Sequence, residues 1–282
     1  MKKLTLVAVL LSTGACATSS PTEPSPTPTN QVDYTAIGAS DAIGYGASVV
    51  CFPFADCPTG TGYVPVVTRS LQSSGKTVTV LNLGIPGAVI GPDIQTIGNA
   101  VGQGIVSNFI DAEMPFAHKA STLITIFAGG NDANAIGAAV KAGMGGSDIS
   151  AYIQAQVQAF GKDMATLVAG LQARAPSARI VILNLPNMAA LPFSASKTST
   201  EKHYFQQIAV GFSAQANAMT SKGAIVIDLM CDSRMYDASI YSSDGFHPND
   251  TGYAYLAGLV FAAASGGAGT APKASCAQMT IY

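Results

Sequence analysis

From Val32 to the C-terminus, short apolar runs of strand length alternate with longer stretches of helical periodicity. Strands recurring between helices pair in parallel, because each helix returns the chain to the same end of the sheet, and helices then cover both faces. The runs predict strands at Tyr34–Gly38, Thr77–Leu83, Leu123–Ala128, Arg179–Leu185 and Ala224–Asp228. An α/β chain with a sheet of five parallel strands is therefore expected. Helical periodicity is clearest at Ile149–Ala173, Thr200–Ser221 and Asn249–Ala264. The first follows Gly145-Gly146-Ser147-Asp148, with capping residues, and stops near Pro176; the last is led by Pro248 and carries an apolar stripe of Tyr253, Leu256, Leu259 and Val260. Two long inter-strand stretches, Tyr45–Ser74 and Asn134–Asp148, are expected to rim a pocket.

The N-terminus reads differently. Lys2-Lys3, the apolar run Leu4 to Leu11 and the small residues up to Ala17 describe an export signal over residues 1–15, too short to span a bilayer. Cys16 can be the lipidated cysteine of a bacterial lipoprotein, or Ala15-Cys16-Ala17 an ordinary signal-peptidase site. Residues 16–31 are rich in Ser, Thr and Pro, cannot bury a core and read as a tether. A tether behind Cys16 favours the anchored alternative, so the protein is expected outside the cytoplasm, either membrane-anchored or free in the periplasm or medium. Residues 32–282, about 250 in number, suffice for one α/β domain, expected as a monomer.

Charged residues make up only 11% of the chain, and without Lys2 and Lys3 the balance is 12 basic to 16 acidic, a net charge of −4. Nucleic acid is not an expected partner. Apart from Cys16 there are four cysteines, Cys51, Cys57, Cys231 and Cys276, an even number in an exported chain, which suggests two disulfides. Three pairings are open; Cys51–Cys57 and Cys231–Cys276 are the expected ones. No Cys-x-x-Cys or paired-histidine spacing points to a metal.

Four short segments carry polar chemistry at or near predicted strand ends or just before the last helix: Gly38-Ala39-Ser40-Asp41, Asn82-Leu83-Gly84 with Gly87, Gly129-Gly130-Asn131-Asp132, and Asp244-Gly245-Phe246-His247-Pro248. Alone, each is an ordinary turn. Together they supply what acyl transfer requires: a nucleophile, a base, a group that orients the base, and donors for a developing oxyanion. Ser40 is the candidate nucleophile, His247 the base and Asp244 its partner, while the amides of Ser40 and Gly84 and the side chain of Asn131 are candidate oxyanion donors. The other histidines, His118 and His203, lie in a polar connection and on a helix beside lysine, as solvated side chains do.

Ser40, Gly84, Asn131 and His247, each in its own block, resemble the four defining residues of the SGNH hydrolases, also called GDSL esterases and lipases. The resemblance covers roughly residues 33–264. Asn82-x-Gly84-x-x-Gly87, Gly130-x-Asp132 around Asn131, and Asp244-x-x-His247 match well; the first block departs, with Gly38-Ala39-Ser40-Asp41 in place of Gly-Asp-Ser-Leu. The resemblance implies a flavodoxin-like three-layer α/β/α sandwich and ester hydrolysis through an acyl-enzyme on Ser40, with no metal or cofactor. The substrate is expected to be a small-molecule or lipid ester with a short to medium acyl group, since Ile43 to Val50 with Phe52 and Phe54, Ile136 to Met144, and Met188 to Phe193 offer apolar surface near the site. Acyl transfer or deacetylation on cell-envelope sugars or lipids is the alternative within the same fold, and a non-catalytic lipoprotein that binds an apolar ligand the alternative outside it.

Overall fold

The computed structural model describes residues 30–267 and 272–282. The export signal, Cys16 and nearly all of the tether lie outside the described residues. Five strands, β1 (Gln31–Gly38), β2 (Thr77–Asn82), β3 (Leu123–Phe127), β4 (Arg179–Leu183) and β5 (Ile225–Ile227), form one sheet in the order β2-β1-β3-β4-β5, parallel throughout. From Asp33 onward every residue of β1 is buried, including Asp33 and Thr35, so its side chains show no alternation between a buried and a solvent face.

Helices cover both faces. Short α1 (Ser40–Ile43), α2 (Tyr63–Ser73) and α8 (Asp250–Ala264) pack together; α3 (Pro92–Ala100), α4 (Phe109–Ala112), α5 (Gly130–Lys141), α6 (Ile149–Arg174) and α7 (Ser199–Ala218) form the other layer. Phe160 of α6 stacks on Phe212 of α7 at 3.9 Å between ring centroids, joining the two longest helices. The three-layer α/β/α sandwich is thus present.

The structure differs from the sequence expectation in its connections. The second half of Tyr45–Ser74 is helix α2, whose buried face of Tyr63, Val64, Val67 and Leu71 is rich in β-branched residues with low helix propensity. Most of the stretch from Asn134 is helix too, since α5 runs to Lys141; its buried alanines give little apolar contrast to reveal a period. Pro248 does not start α8: Asn249 is the cap, its Oδ1 accepting the amides of Thr251 and Gly252. Both expected disulfides are formed, Cys51–Cys57 and Cys231–Cys276, with Cα separations of 5.8 and 5.7 Å.

Strand register gathers the polar segments. Ala36 lies opposite Asn82, Gly38 opposite Phe127, and Leu183 opposite both Phe127 and Ile227, so the carboxyl ends of the strands form one edge. The chain leaves β1 for β2 on one side and returns to β3 on the other, so its winding reverses at β1. Such a switch point opens a crevice beyond the strand ends. Ser40 and Asn131 follow the two strands that flank it.

Candidate active site

Ser40 begins α1 immediately beyond β1 and is 6% exposed. Its Oγ lies 2.8 Å from Nε2 of His247, and Nδ1 of His247 lies 2.6 Å from Oδ2 of Asp244. The other carboxylate oxygen, Oδ1, accepts hydrogen bonds from the Ser242 hydroxyl at 2.8 Å and from the amides of Phe246 and His247 at 2.8 and 2.9 Å. Partial burial pushes the Asp244 carboxyl up, but the hydrogen bonds from His247 and these donors outweigh it and hold it down at about 2. Asp244 therefore stays ionised across the neutral range and keeps the Nδ1 proton of His247 in place. The turn depends on Gly245, whose φ of 69° is left-handed and where a Cβ would lie 2.6 Å from the Phe193 amide nitrogen.

Two rings that sequence reasoning missed fix the imidazole: Tyr45 at 4.7 Å on one side and Phe246, edge-on, at 4.8 Å. Their only sequence signal is adjacency to the serine and histidine segments. Asp41 was likewise read only as a departure from a motif. Burial pushes its carboxyl up, while nearby His247 draws it back, and its Oδ1 lies 3.4 Å from the hydroxyl of Tyr253.

Asn131 stands on the first turn of α5, donating one Nδ2 proton to the carbonyl of Ala88 at 2.9 Å and keeping the other available. Gly84 is packed against the serine turn: a Cβ there would lie 2.6 Å from that of Ala42 and 2.9 Å from the carbonyl of Ala39. Its amide, however, donates to Oδ1 of Asn82 at 3.0 Å. To serve an oxyanion, that amide has to be shared or released.

Glu113, outside all four segments, anchors the first of them. It is fully buried, and its Oε2 accepts the amide of Gly38 at 2.9 Å. Burial pushes its carboxyl well above the ordinary range, opposed chiefly by the hydrogen bond from the Gly38 amide, while its Oε1 has no hydrogen-bond partner. It thus anchors the chain just before Ser40. Glu113→Gln retains an acceptor and is expected to keep kcat within about threefold, whereas Glu113→Ala orphans a buried amide and displaces the serine turn, at a cost of about 100-fold in kcat. Steady-state kinetics of the two variants test this; equal losses in both would show that charge, not anchoring, matters.

Beneath Asn131, Asp132 is 1% exposed, with Oδ1 accepting the Ile90 amide at 2.8 Å and Oδ2 unpartnered. Burial pushes it up to about 7, with help from the charge of Asp163, itself pushed up to about 6. The folded value lies above the unfolded one of about 3.9, so the stability tied to this proton is full below about pH 4 and is lost as pH rises toward 7. Asp132→Asn removes that loss. Its Tm is expected to exceed the parent's at pH 8, by about 3 °C per kcal/mol relieved, and not at pH 4; thermal melts at both values test it.

Beside the serine lies a cavity of about 40 Å³, lined by Ala39, Asp41, Asn131, Leu185, Met188 and Phe246 among others. Of the three apolar segments expected near the site, only Met188 to Phe193 lines it, through Met188 and Leu191. Among the described residues no cluster of three or more His, Cys, Asp or Glu side chains could hold a metal, and no helix is long and apolar enough to cross a membrane.

A hydroxyl, an imidazole and a carboxylate hydrogen-bonded in series, at the switch point of a doubly wound sheet, define an α/β protein with a hydrolase-type site. The GDSL-like Lipase/Acylhydrolase family model matches residues 36–255, which span all four segments, and the chain belongs to that family. Its fold is similar to a lipase from a goat rumen metagenome (18% identity, TM-score 0.55, covering 82% of this chain and 97% of that one). It is also similar to an extracellular lipase of Streptomyces rimosus (19%, 0.51, 80% and 97%) and to an acetyl xylan esterase of Geobacillus stearothermophilus (14%, 0.53, 87% and 97%). No curated protein matches in sequence.

Proposed function

We propose that this ester hydrolase works through a Ser40 acyl-enzyme. The reading is carried by one observation, the unbroken series from Ser40 Oγ through His247 to Asp244 at 2.8 and 2.6 Å. His247 Nε2 takes the hydroxyl proton as Ser40 Oγ bonds to the ester carbonyl carbon, and Asp244 stabilises the imidazolium. The amide of Ser40 and the free Nδ2–H of Asn131 receive the oxyanion, joined by Gly84 if its amide turns from Asn82. Collapse breaks the ester bond, His247 returns its proton to the departing alcohol, and water, activated by the same imidazole, releases the acid.

The cavity beside Ser40 is small, about 40 Å³, which favours a short acyl group over a long one. Short acyl esters are accordingly the proposed substrates. Disulfides of this kind persist in oxidising compartments, which supports a place outside the cytoplasm; anchoring through a lipidated Cys16 belongs to the same proposal. A p-nitrophenyl ester series from acetate to palmitate tests the reading. Turnover is expected to be greatest at acetate to butyrate, and an optimum at palmitate would overturn the acyl-group assignment. The small cavity also suits a deacetylase on a sugar or lipid, and product analysis with an alcohol or sugar acceptor present separates hydrolysis from acyl transfer.

A further inference from the structure

Nine large apolar side chains are exposed among the described residues, and five of them fall within ten positions: Tyr45 (51%), Val49 (40%), Val50 (42%), Phe52 (78%) and Phe54 (61%). Scattered exposed apolar residues need no explanation, but a cluster does. No charged residue occurs between Asp41 and Asp56, so the apolar cluster itself carries no charge, and the nearest charges, Asp250 beside Ser48 and Asp56 beyond Phe54, lie at its margin.

The loop that bears these side chains is firmly built. Asp250 accepts the amide and hydroxyl of Ser48 at 2.7 and 2.6 Å and the hydroxyl of Thr61 at 2.8 Å. The Cys51 amide donates to the carbonyl of Ile43 at 2.8 Å, and the disulfide to Cys57 closes the tip. Phe54 is the only non-glycine with positive φ among the described residues, at 60°, and its amide donates to the carbonyl of Asn82 at 2.9 Å. A left-handed phenylalanine is strained, and here it is held with its ring in water. Specific bonds thus keep apolar groups exposed that a slack loop could fold away.

Both roots of the loop reach the site. Tyr45 packs on His247 and its amide donates to the carbonyl of Ser40 at 2.9 Å, while Phe54 is bonded to Asn82, two residues before Gly84. The cluster is therefore rooted against the imidazole at one end and at the carboxyl end of β2, next to the Gly84 segment, at the other, which flanks the site entrance. We infer that the Tyr45–Phe54 loop is a lip that seats this entrance on the uncharged, apolar surface of an aggregated lipid ester. A protein partner bound there would cover the place the ester has to enter. A lipid surface matches an uncharged aromatic and aliphatic face and delivers substrate to the entrance at the same time. A short acyl group enters the small cavity while the apolar remainder of the molecule stays at the lip; this inference rests on the esterase reading for its substrate.

The chain contains no tryptophan, so Phe52→Trp in a Ser40→Ala background gives a single reporter at the tip of the lip. Adding phosphatidylcholine vesicles is expected to shift its emission to the blue and to co-sediment the protein. Absence of both overturns the inference, and a shift that depends on protein concentration without vesicles assigns the lip to a second copy of the chain instead. In the active enzyme, Phe52→Ser with Phe54→Asn, the latter tolerant of positive φ, is expected to lower turnover of emulsified tributyrin about tenfold or more. Turnover of dissolved p-nitrophenyl acetate should stay within about twofold of the parent. Equal losses on both substrates overturn the inference. If the parent leaves the dissolved ester intact, the esterase reading fails, while the vesicle experiment still decides the lip.

Discussion

Ser40→Ala is expected to lower kcat on a p-nitrophenyl ester by at least about 10,000-fold while leaving the fold intact. The size of the effect follows from the series Ser40–His247–Asp244, in which each member acts only through the next. Without the hydroxyl, His247 has nothing to deprotonate but water, and residual turnover comes from the oxyanion donors and binding alone. The hydroxyl's one recorded hydrogen bond is to His247, so its removal costs little stability, and the variant should melt within a few degrees of the parent. Loss of turnover together with a collapsed melting curve would leave structure, not chemistry, as the cause. Retained turnover would place the nucleophile elsewhere.

Asn131→Ala is expected to cost about 100- to 1,000-fold in kcat, toward the upper end of that range. Two observations place it there. The Nδ2 group has a proton to spare after bonding Ala88, whereas the Gly84 amide is already committed to Asn82. In the proposed mechanism the side chain would therefore bear more of the oxyanion charge than it would beside a free glycine amide. The loss should fall on kcat with KM nearly unchanged, because the oxyanion exists only in the transition state. Gly84→Ala is no test of the second donor, since its Cβ would strike Ala42 and the carbonyl of Ala39. Dissolved p-nitrophenyl acetate is the appropriate substrate for these kinetics, because it bypasses any contribution of the Tyr45–Phe54 lip.

Much of this protein could be read along the chain. The inner strands β3 and β4 are nearly continuous apolar runs because they are buried on both faces, whereas β2, at the sheet edge, alternates threonine and valine with its threonines exposed; both patterns stand out without reference to neighbours. Ser40, Gly84, Asn131, Asp244 and His247 were legible because each occupies a short segment whose glycine, asparagine or aspartate is required locally by a turn or a strand end. The cysteine pairs came from the same short-range logic, although count alone left three pairings open.

Helix α5 escaped because a buried face of alanines has no hydrophobic contrast, and α2 because its buried positions use β-branched residues. Glu113 could not be found in the sequence at all: it lies 75 residues from Gly38, and only the tertiary fold brings its carboxylate to that amide. The same holds for Tyr45 and Phe246 around the imidazole, for the Asn82 side chain that occupies the Gly84 amide, and for the exposed lip, whose apolar residues look in sequence like any buried segment. Local conformational demands and burial on two faces leave a one-dimensional trace, so the sequence by itself determined the strands, the turns and the candidate site residues. Which donors are free, which ring meets the imidazole and which apolar groups face water depend on distances between segments far apart in the chain, and those only the tertiary structure decided.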